Sequence, residues 1–390
     1  GTNQISAADF NNDGNIDLVT SNRLDKSISV LLNDAEGGFY NDQSFALSDE
    51  PSTVKVSDIN NDGYSDIIGF TQNDVKFYLN DGTGLFSYSD TANANTQDIN
   101  IGSPPAFFAL ADLNGDSFDD VVVAEAQYTG KQDGISILFN NQDITFSDPV
   151  HTTVVNDGHP NTFALGDFNN DNSIDLVVAN RDKNQIRILQ NDGNGNFALG
   201  DTYNTDTRPK AVGSGDIDND GDLDIIVADQ RGSTSFEIFL NNNTSSISFT
   251  RGAKYDLPDM GDTVFLEDIN NDGNLDVVIG QRGDTAGVAY SYGNGNGTFG
   301  NVLFQEISSG SVGYVLADFD NNGFIDIAGA DQNDGYASIV LSGLESSPST
   351  YVQPIPDYNS QDLSYYDFSY SELSGIDFSL AYGEEVNFSN

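Results

Sequence analysis

The nine residues Asp9–Asp17 read DFNNDGNID, and the string returns six more times: DINNDGYSD from Asp58, DLNGDSFDD from Asp112, DFNNDNSID from Asp167, DIDNDGDLD from Asp216, DINNDGNLD from Asp268 and DFDNNGFID from Asp318. Successive copies begin 49 to 55 residues apart, room for about four strands of ordinary length with their turns. Each copy holds the same place in a longer unit. An apolar stretch enters the acidic string (FFALADL, TFALGDF, GYVLADF), a β-branched strand leaves it (IDLVTSN, LDVVIGQ), and a third strand follows (SISVLLND, QIRILQND). In most units a Gly/Asn turn ending in Phe comes next (NDAEGGF, NDGTGLF, NDGNGNF, GNGNGTF), with a fourth, more polar strand behind it.

A single four-stranded meander cannot cover both of its faces. Similar sheets stacked around an axis cover one another and leave only short edges. The sequence therefore predicts an all-β fold, a seven-bladed β-propeller of four-stranded antiparallel blades over residues 1–356, followed by a short C-terminal extension over 357–390. The entering strands are apolar at nearly every position, which predicts burial on both faces near the axis. Every unit reads as holding all four strands, so the ring is expected to close by packing its first blade on its seventh, without an exchanged strand. The seventh unit departs from the pattern after its acidic string, where LSGLESSPST lacks the Gly-rich turn ending in Phe.

Positions 1, 3 and 5 of each string are Asp or Asn, position 6 is usually Gly, and position 9 is always Asp. Alternation lets short oxygen-bearing side chains converge while the chain wraps around a point, as at the start of an EF-hand loop. Oxygen-only donors with several negative charges suit a hard cation of calcium size, and Cys is absent from the chain altogether. The expected side-chain ligands are Asp9, Asn11, Asp13 and Asp17 in the first loop, Asp58, Asn60, Asp62 and Asp66 in the second, and Asp112, Asn114, Asp116 and Asp120 in the third. The fourth offers Asp167, Asn169, Asp171 and Asp175, and the fifth Asp216, Asp218, Asp220 and Asp224. The sixth offers Asp268, Asn270, Asp272 and Asp276, and the seventh Asp318, Asp320, Asn322 and Asp326. One such loop is commonly no more than an Asx-rich turn; seven in register are not. Position 6 becomes Ser117 in the third loop and Asn172 in the fourth. Gly and Asn tolerate positive φ better than Ser, so the third site is expected to be the weakest.

At these residues the chain resembles the FG-GAP/VCBS repeat family, the calcium-binding propeller repeats found in integrin α-subunit heads and many bacterial surface proteins. The resemblance covers residues 1–356. It implies a backbone carbonyl ligand at position 7, from Asn15, Tyr64, Phe118, Ser173, Asp222, Asn274 and Phe324, up to seven Ca2+ ions, one per blade, and an extracellular or cell-surface setting.

Composition narrows the function from the other side. The 390 residues carry 14 Lys+Arg against 61 Asp+Glu, a net charge of −47, which opposes contact with nucleic-acid phosphates or anionic membranes. The side-chain ligands above include 22 of those acids, and seven divalent cations would bring the charge to about −33. Zero Cys excludes disulfides, thiolate metal sites and Cys nucleophiles. No apolar run approaches the roughly 18 residues that cross a bilayer, and Gly1-Thr2-Asn3-Gln4 has no leader character, so a soluble chain without direct membrane insertion is expected.

Few other features invite a functional reading. His151 and His159, in HTTVVNDGHP between the third and fourth units, fit a solvated loop better than an acid–base or metal pair. No nucleophile elbow, zinc helix, P-loop or dinucleotide fingerprint stands in a suitable context, so no catalytic constellation is read and the chain is not expected to be an enzyme. Most Phe residues hold repeat-fixed positions and read as core. Asn242, Asn243, Asn296 and Asn387 fit the glycosylation sequon. In the extension, Leu363, Phe368, Leu373 and Phe378 fall five apart, a weak resemblance to the pentapeptide-repeat family that would make it the start of a further repeat domain; Leu363, Tyr366, Tyr370 and Leu373 also fit helical spacing, and a docked or partly ordered tail fits better than either. The reading is a calcium-stabilised recognition or adhesion module for a protein or glycan ligand, its tail available for self-association. The alternatives are a structural subunit of a surface layer or fibre, and a polysaccharide-acting enzyme or its accessory domain.

Overall fold

A computed structural model of the chain describes residues 2–35, 38–71, 75–88, 107–125, 133–155, 160–229, 234–242, 247–281, 287–307, 311–331 and 337–342. The strands form seven antiparallel sheets, each made of sequence neighbours. The first holds β1 (Thr2–Ala8), β2 (Asp17–Asn22), β3 (Ser27–Asn33) and β4 (Phe39–Ala46), and the second β5 (Pro51–Ser57), β6 (Asp66–Thr71), β7 (Val75–Asn80) and β8 (Phe86–Tyr88). The third holds β9 (Phe107–Ala111), β10 (Asp120–Glu125), β11 (Asp133–Leu138) and β12 (Val150–Val155), and the fourth β13 (Pro160–Gly166), β14 (Asp175–Asn180), β15 (Gln185–Asn191) and β16 (Phe197–Asn204). The fifth holds β17 (Pro209–Gly215), β18 (Asp224–Asp229), β19 (Ser235–Asn241) and β20 (Phe249–Asp256), and the sixth β21 (Gly261–Glu267), β22 (Asp276–Gln281), β23 (Gly287–Ser291) and β24 (Leu303–Glu306). The seventh shows three strands among the described residues: β25 (Ser311–Ala317), β26 (Asp326–Asp331) and β27 (Ala337–Val340). This is the expected seven-bladed propeller. The stretch after Leu341-Ser342 and the whole extension 357–390 lie outside the described residues.

Every acidic string joins the first strand of a blade to its second. The register is the same each time: the residue before position 1 is paired close to the turn with position 9, as in Ala8↔Asp17, Ser57↔Asp66 and Gly166↔Asp175. The seven loops therefore lie at one end of the ring.

Burial departs from expectation. The second strands, not the first, are the most deeply placed: β6, β14, β18 and β22 are buried at all six positions, whereas β21 is buried only at Gly261 and β5 only at Pro51 and Val54. The first strands border the axial channel, so part of each faces open space. Second strands have a sheet neighbour on either edge and a blade on either face.

Adjacent blades share the core. Ala164, Val177 and Ile188 of the fourth blade pack with Val212, Ile225 and Val227 of the fifth. Ile5, Leu18 and Leu31 of the first pack in the same way with Phe319, Ala328 and Ile339 of the seventh. The ring thus closes by packing, and among the described residues no strand is exchanged. Loop position 2 adds a buried anchor at six of the seven junctions, Ile269 of the sixth loop being only partly buried. Phe10 meets Phe86 of the next blade edge to face at 5.4 Å between centroids; Phe168 meets Phe249 and Phe319 meets Phe39 similarly. Phe10, Phe168 and Phe319 are fully buried, each contributing about 1.5–3 kcal/mol by leaving water.

Candidate metal centres

The loops fold by a common hydrogen-bond scheme. The position-1 carboxylate accepts the N–H groups of positions 5 and 6, as Asp9 does from Asp13 (3.1 Å) and Gly14 (2.9 Å). Asp58, Asp112, Asp167, Asp216, Asp268 and Asp318 repeat it. The position-3 oxygen of Asn11, Asn60, Asn114, Asn169, Asn270 and Asp320 also takes the N–H of position 5. The position-5 oxygen of Asp13, Asp62, Asp116, Asp171, Asp220, Asp272 and Asn322 takes the N–H of position 7, from Asn15, Tyr64, Phe118, Ser173, Asp222, Asn274 and Phe324. Asx side chains that capture nearby N–H groups explain why this composition forms a turn unaided.

Position 9 is the keystone. Asp17, Asp66, Asp120, Asp175, Asp224, Asp276 and Asp326 are fully buried. Each accepts one N–H from loop position 2 and another from the residue just after, or ending, the third strand, as Asp17 does from Phe10 (2.8 Å) and Asn33 (2.8 Å). The same pair of bonds recurs in the other six blades. Burial pushes these acids up, to about 6 for Asp17, Asp120, Asp175 and Asp326 and to about 7 for Asp66 and Asp224, with Asp276 raised as well. The backbone N–H bonds oppose the rise, and neighbouring loop carboxylates add to it. Such a site is short of positive charge.

The predicted ligands converge most clearly in two loops. Carboxylate oxygens of Asp216, Asp218 and Asp224 lie within 4.8 Å of one another, as do those of Asp318, Asp320 and Asp326, so both groups could hold a metal ion. In the fifth loop Asp218 Oδ1 is buried without a hydrogen-bond partner, and burial followed by the Asp220 charge raises the Asp218 pKa. An oxygen-only cluster with an orphaned carboxylate oxygen fits a hard cation. Asp220, predicted as a fourth carboxylate there, stands outside that cluster. In the first, second, fourth and sixth loops the position-3 amide instead donates to position 5, as Asn11 Nδ2 does to Asp13 Oδ2 (2.9 Å).

Two sets of residues around the loops had no assigned role in the sequence. The Asn at the end of the third strand, in LLND, YLND, LFNN, LQND and FLNN, is buried and binds backward to the preceding blade. Asn33 Nδ2 donates to Phe319 O, Asn80 to Phe10 O, Asn140 to Ile59 O, Asn191 to Leu113 O and Asn241 to Phe168 O, at 2.8–2.9 Å. In the sixth blade Gly293 takes this place, and the backbone N–H of Gly297 reaches Ile217 O instead, at 3.3 Å. The second set is loop position 4, left-handed in all seven loops: Asn12, Asn61, Gly115, Asn170, Asn219, Asn271 and Asn321. Its amide binds forward, Asn61 to Ser117 O, Asn170 to Asp222, Asn219 to Asn274, Asn271 to Gly323 O and Asn321 to Asn15. Recurrence was the available signal for both; the partners, some 50 or more residues away, were not.

Elsewhere, His151 lies on the exposed outer strand β12, not in a loop, with Nδ1 3.3 Å from Ser136 Oγ. His159, Asn243 and Asn387 lie outside the described residues, while Asn242 and Asn296 are exposed. The fifth blade carries a charge network away from its loop, with Asp229 and Glu237 buried and Arg251 and Lys254 at the surface. Asp229 accepts from Ser235 Oγ (2.9 Å), Glu237 meets Arg251 (2.8 Å) and the Asp206 N–H (2.9 Å), and Asp206 meets Lys254 (2.9 Å) and Arg251.

A closed ring of seven antiparallel sheets, with an oxygen-rich loop at the same corner of each, defines a β-propeller with candidate cation sites. Six segments, 9–69, 58–123, 112–178, 167–227, 216–279 and 268–329, match the FG-GAP-like repeat. Each segment begins at one acidic loop and runs through the next, so seven loops yield six segments, and the chain belongs to that family. No curated protein matches it in sequence. Among solved structures, BBS1N, crystallised in complex with ARL6DN, aligns with a TM-score of 0.59 at 12% identity over 89% of this chain and 94% of that one. An Agrocybe aegerita lectin that recognises non-reducing terminal N-acetylglucosamine aligns with a TM-score of 0.51 at 19% identity over 77% and 80%. A putative 6-phosphogluconolactonase from Bacteroides fragilis aligns with a TM-score of 0.56 at 10% identity over 78% and 84%. At these identities the likeness is one of fold. Among the described residues no helix is long and apolar enough to cross a membrane.

Proposed function

We propose that this propeller is a calcium-stabilised recognition and adhesion module of the cell exterior, binding a protein or glycan ligand, with calcium structural in all seven loops. One observation carries the reading: the same oxygen-rich loop stands at the same corner of every blade, each backed by a buried position-9 carboxylate that makes no ion pair among the described residues. Side chains at positions 1, 3, 5 and 9 and the position-7 carbonyl would hold the ion, and calcium would supply the charge that burial has removed from solvent. Millimolar extracellular calcium would fill even weak oxygen sites. Among the proteins of similar fold are one crystallised with a protein partner and one that recognises a sugar, which is in keeping with a recognition role. Residues 1–356 form the propeller domain on this reading and 357–390 an extension.

The test is a thermal melt with calcium and after chelation. A site held at 100 times its Kd contributes about 2.7 kcal/mol, so chelation is expected to lower Tm steeply and magnesium to restore little of it. An unchanged midpoint would count against structural calcium. A glycan and protein array, probed in calcium and followed for cleavage as well as capture, then separates recognition from polysaccharide chemistry.

A further inference from the structure

The seven first strands leave a cavity of about 330 Å3 on the axis, within the range of small-molecule sites. Its wall comes largely from the N-terminal halves of those strands, and the acidic loops follow their C-terminal ends. Lys210 precedes its loop by six residues, about 20 Å of strand, and Lys55 precedes Asp58 by three, about 10 Å, against a Debye length of about 8 Å at physiological salt. The field of the loops is therefore weaker at Lys210 than at Lys55.

The chain has 14 basic residues against 61 acids, yet two lysines line this cavity. Lys210 Nζ pairs with Asp262 Oδ1 at 3.4 Å. Lys55 meets no carboxylate within ion-pair distance among the described residues; its Nζ lies 5.7 Å from the centre of the Phe107 ring. Burial lowers its pKa, as expected of an ammonium drawn from water without a counter-charge. Two cations and one anion leave a single positive charge. That balance suits a monoanion better than a phosphate dianion. Around it stand the hydroxyls and amide of Thr53, Thr263 and Asn161, with the rings of Phe265 and Tyr314 on the same wall. Aromatic faces beside hydroxyl and amide groups match a ring with a C–H face and several hydroxyls.

We propose that the axial cavity binds a small polyhydroxylated carboxylate of the sugar-acid type, its carboxylate on Lys55, its hydroxyls on the Lys210–Asp262 pair and its ring against the aromatic wall. The recognition reading leaves ligand and surface open, and this site goes beyond it without depending on calcium chemistry.

The test uses the calcium-loaded full chain, titrated with galacturonate and followed by calorimetry and ligand-observed NMR, with galactose and inorganic phosphate as comparison probes. Saturable galacturonate uptake is expected, with galactose at least about tenfold weaker, the scale of a lost charge-assisted hydrogen bond. K55M is expected to reduce galacturonate binding by a similar factor, while K183M, exposed in the turn between β14 and β15 and absent from the cavity wall, leaves it unchanged. Should K55M fold poorly, D262N provides the second variant: it removes the single anion while keeping both cations, so the preference for galacturonate over galactose is expected to widen, and a preference that narrows would overturn the proposal. Equal uptake of galactose, tighter binding of phosphate, unchanged binding by K55M, or no saturable binding would each overturn the proposal. A protein whose Tm is insensitive to chelation but that still binds galacturonate would refute structural calcium alone.

Discussion

Ser117 holds a φ of 71° where five other loops carry Gly and the fourth carries Asn172 at 66°. A left-handed non-glycine residue costs about 1–2 kcal/mol, offset by roughly 0.4–1 kcal/mol because serine has less freedom than glycine in the unfolded chain. Space does not enter the balance, since a Cβ placed on Gly14, Gly63, Gly221, Gly273 or Gly323 would meet nothing within 4 Å. Ser117→Gly is therefore expected to stabilise the protein by about 0.5–1 kcal/mol in urea unfolding, and Gly273→Ser to cost about as much. A loss of stability in Ser117→Gly would show that the Ser117 side chain contributes something beyond its backbone geometry. The third loop also has Gly115 at position 4, where five other loops send an Asn amide to the next blade's acidic loop and Asn12 sends one to Gly82 O. Both departures fall in one blade, so the third loop is the one expected to be weakest on this face.

Between elements, the third-strand Asn is what joins one blade's loop to its neighbour's. Asn191 donates to Leu113 O (2.8 Å) and Ile174 O (3.1 Å) and accepts the N–H groups of Gly193 and Gly195. Asn191→Ala leaves buried carbonyls unsatisfied, so a loss of about 2–4 kcal/mol is expected, equal in calcium and in metal-stripped buffer. Asp171→Asn, which also removes an acceptor of the Asn169 amide, is expected to cost more in the calcium-loaded form than in the metal-free one; if Asn191→Ala showed the same dependence on calcium, the Asn would be part of the metal site and not a blade-to-blade tie. The blade count and the loop positions were legible because they are carried by spacing within about 50 residues. The Asn ties, the depth of the second strands and the pairing of Lys55 with Phe107 were not, because each arises only when the ring closes and brings distant segments together. Likewise the apolar FFALADL and TFALGDF suggested strands buried on both faces, but apolarity cannot tell a channel wall from a strand enclosed by sheet neighbours.

For the whole molecule, the position-9 acids set how stability depends on pH. Their folded pKa values, about 6 to 7 for six of them and raised for Asp276, lie above the roughly 3.9 of an unfolded Asp. Between those limits the folded chain binds more protons than the unfolded one, so stability is fullest below pH ~4 and declines as pH rises through 6 to 7. Self-repulsion among 61 acids acts in the same direction. Calcium bound as proposed would reverse the balance at the loops, because it would pair with the ionised form and its binding would release protons. In metal-stripped buffer Tm is expected to fall from pH 4.5 to 7.5, and the gain on adding calcium to widen over the same interval. Asp229, pushed up to about 7 chiefly by burial and then by the Glu237 charge against the Ser235 hydrogen bond, lies outside the loops. Its share of the decline should persist in calcium and shrink in Asp229→Asn. Scanning calorimetry across that range with and without calcium measures both parts, and a metal-free Tm that rises toward neutral pH would mean that these carboxylates are not desolvated in the folded ring.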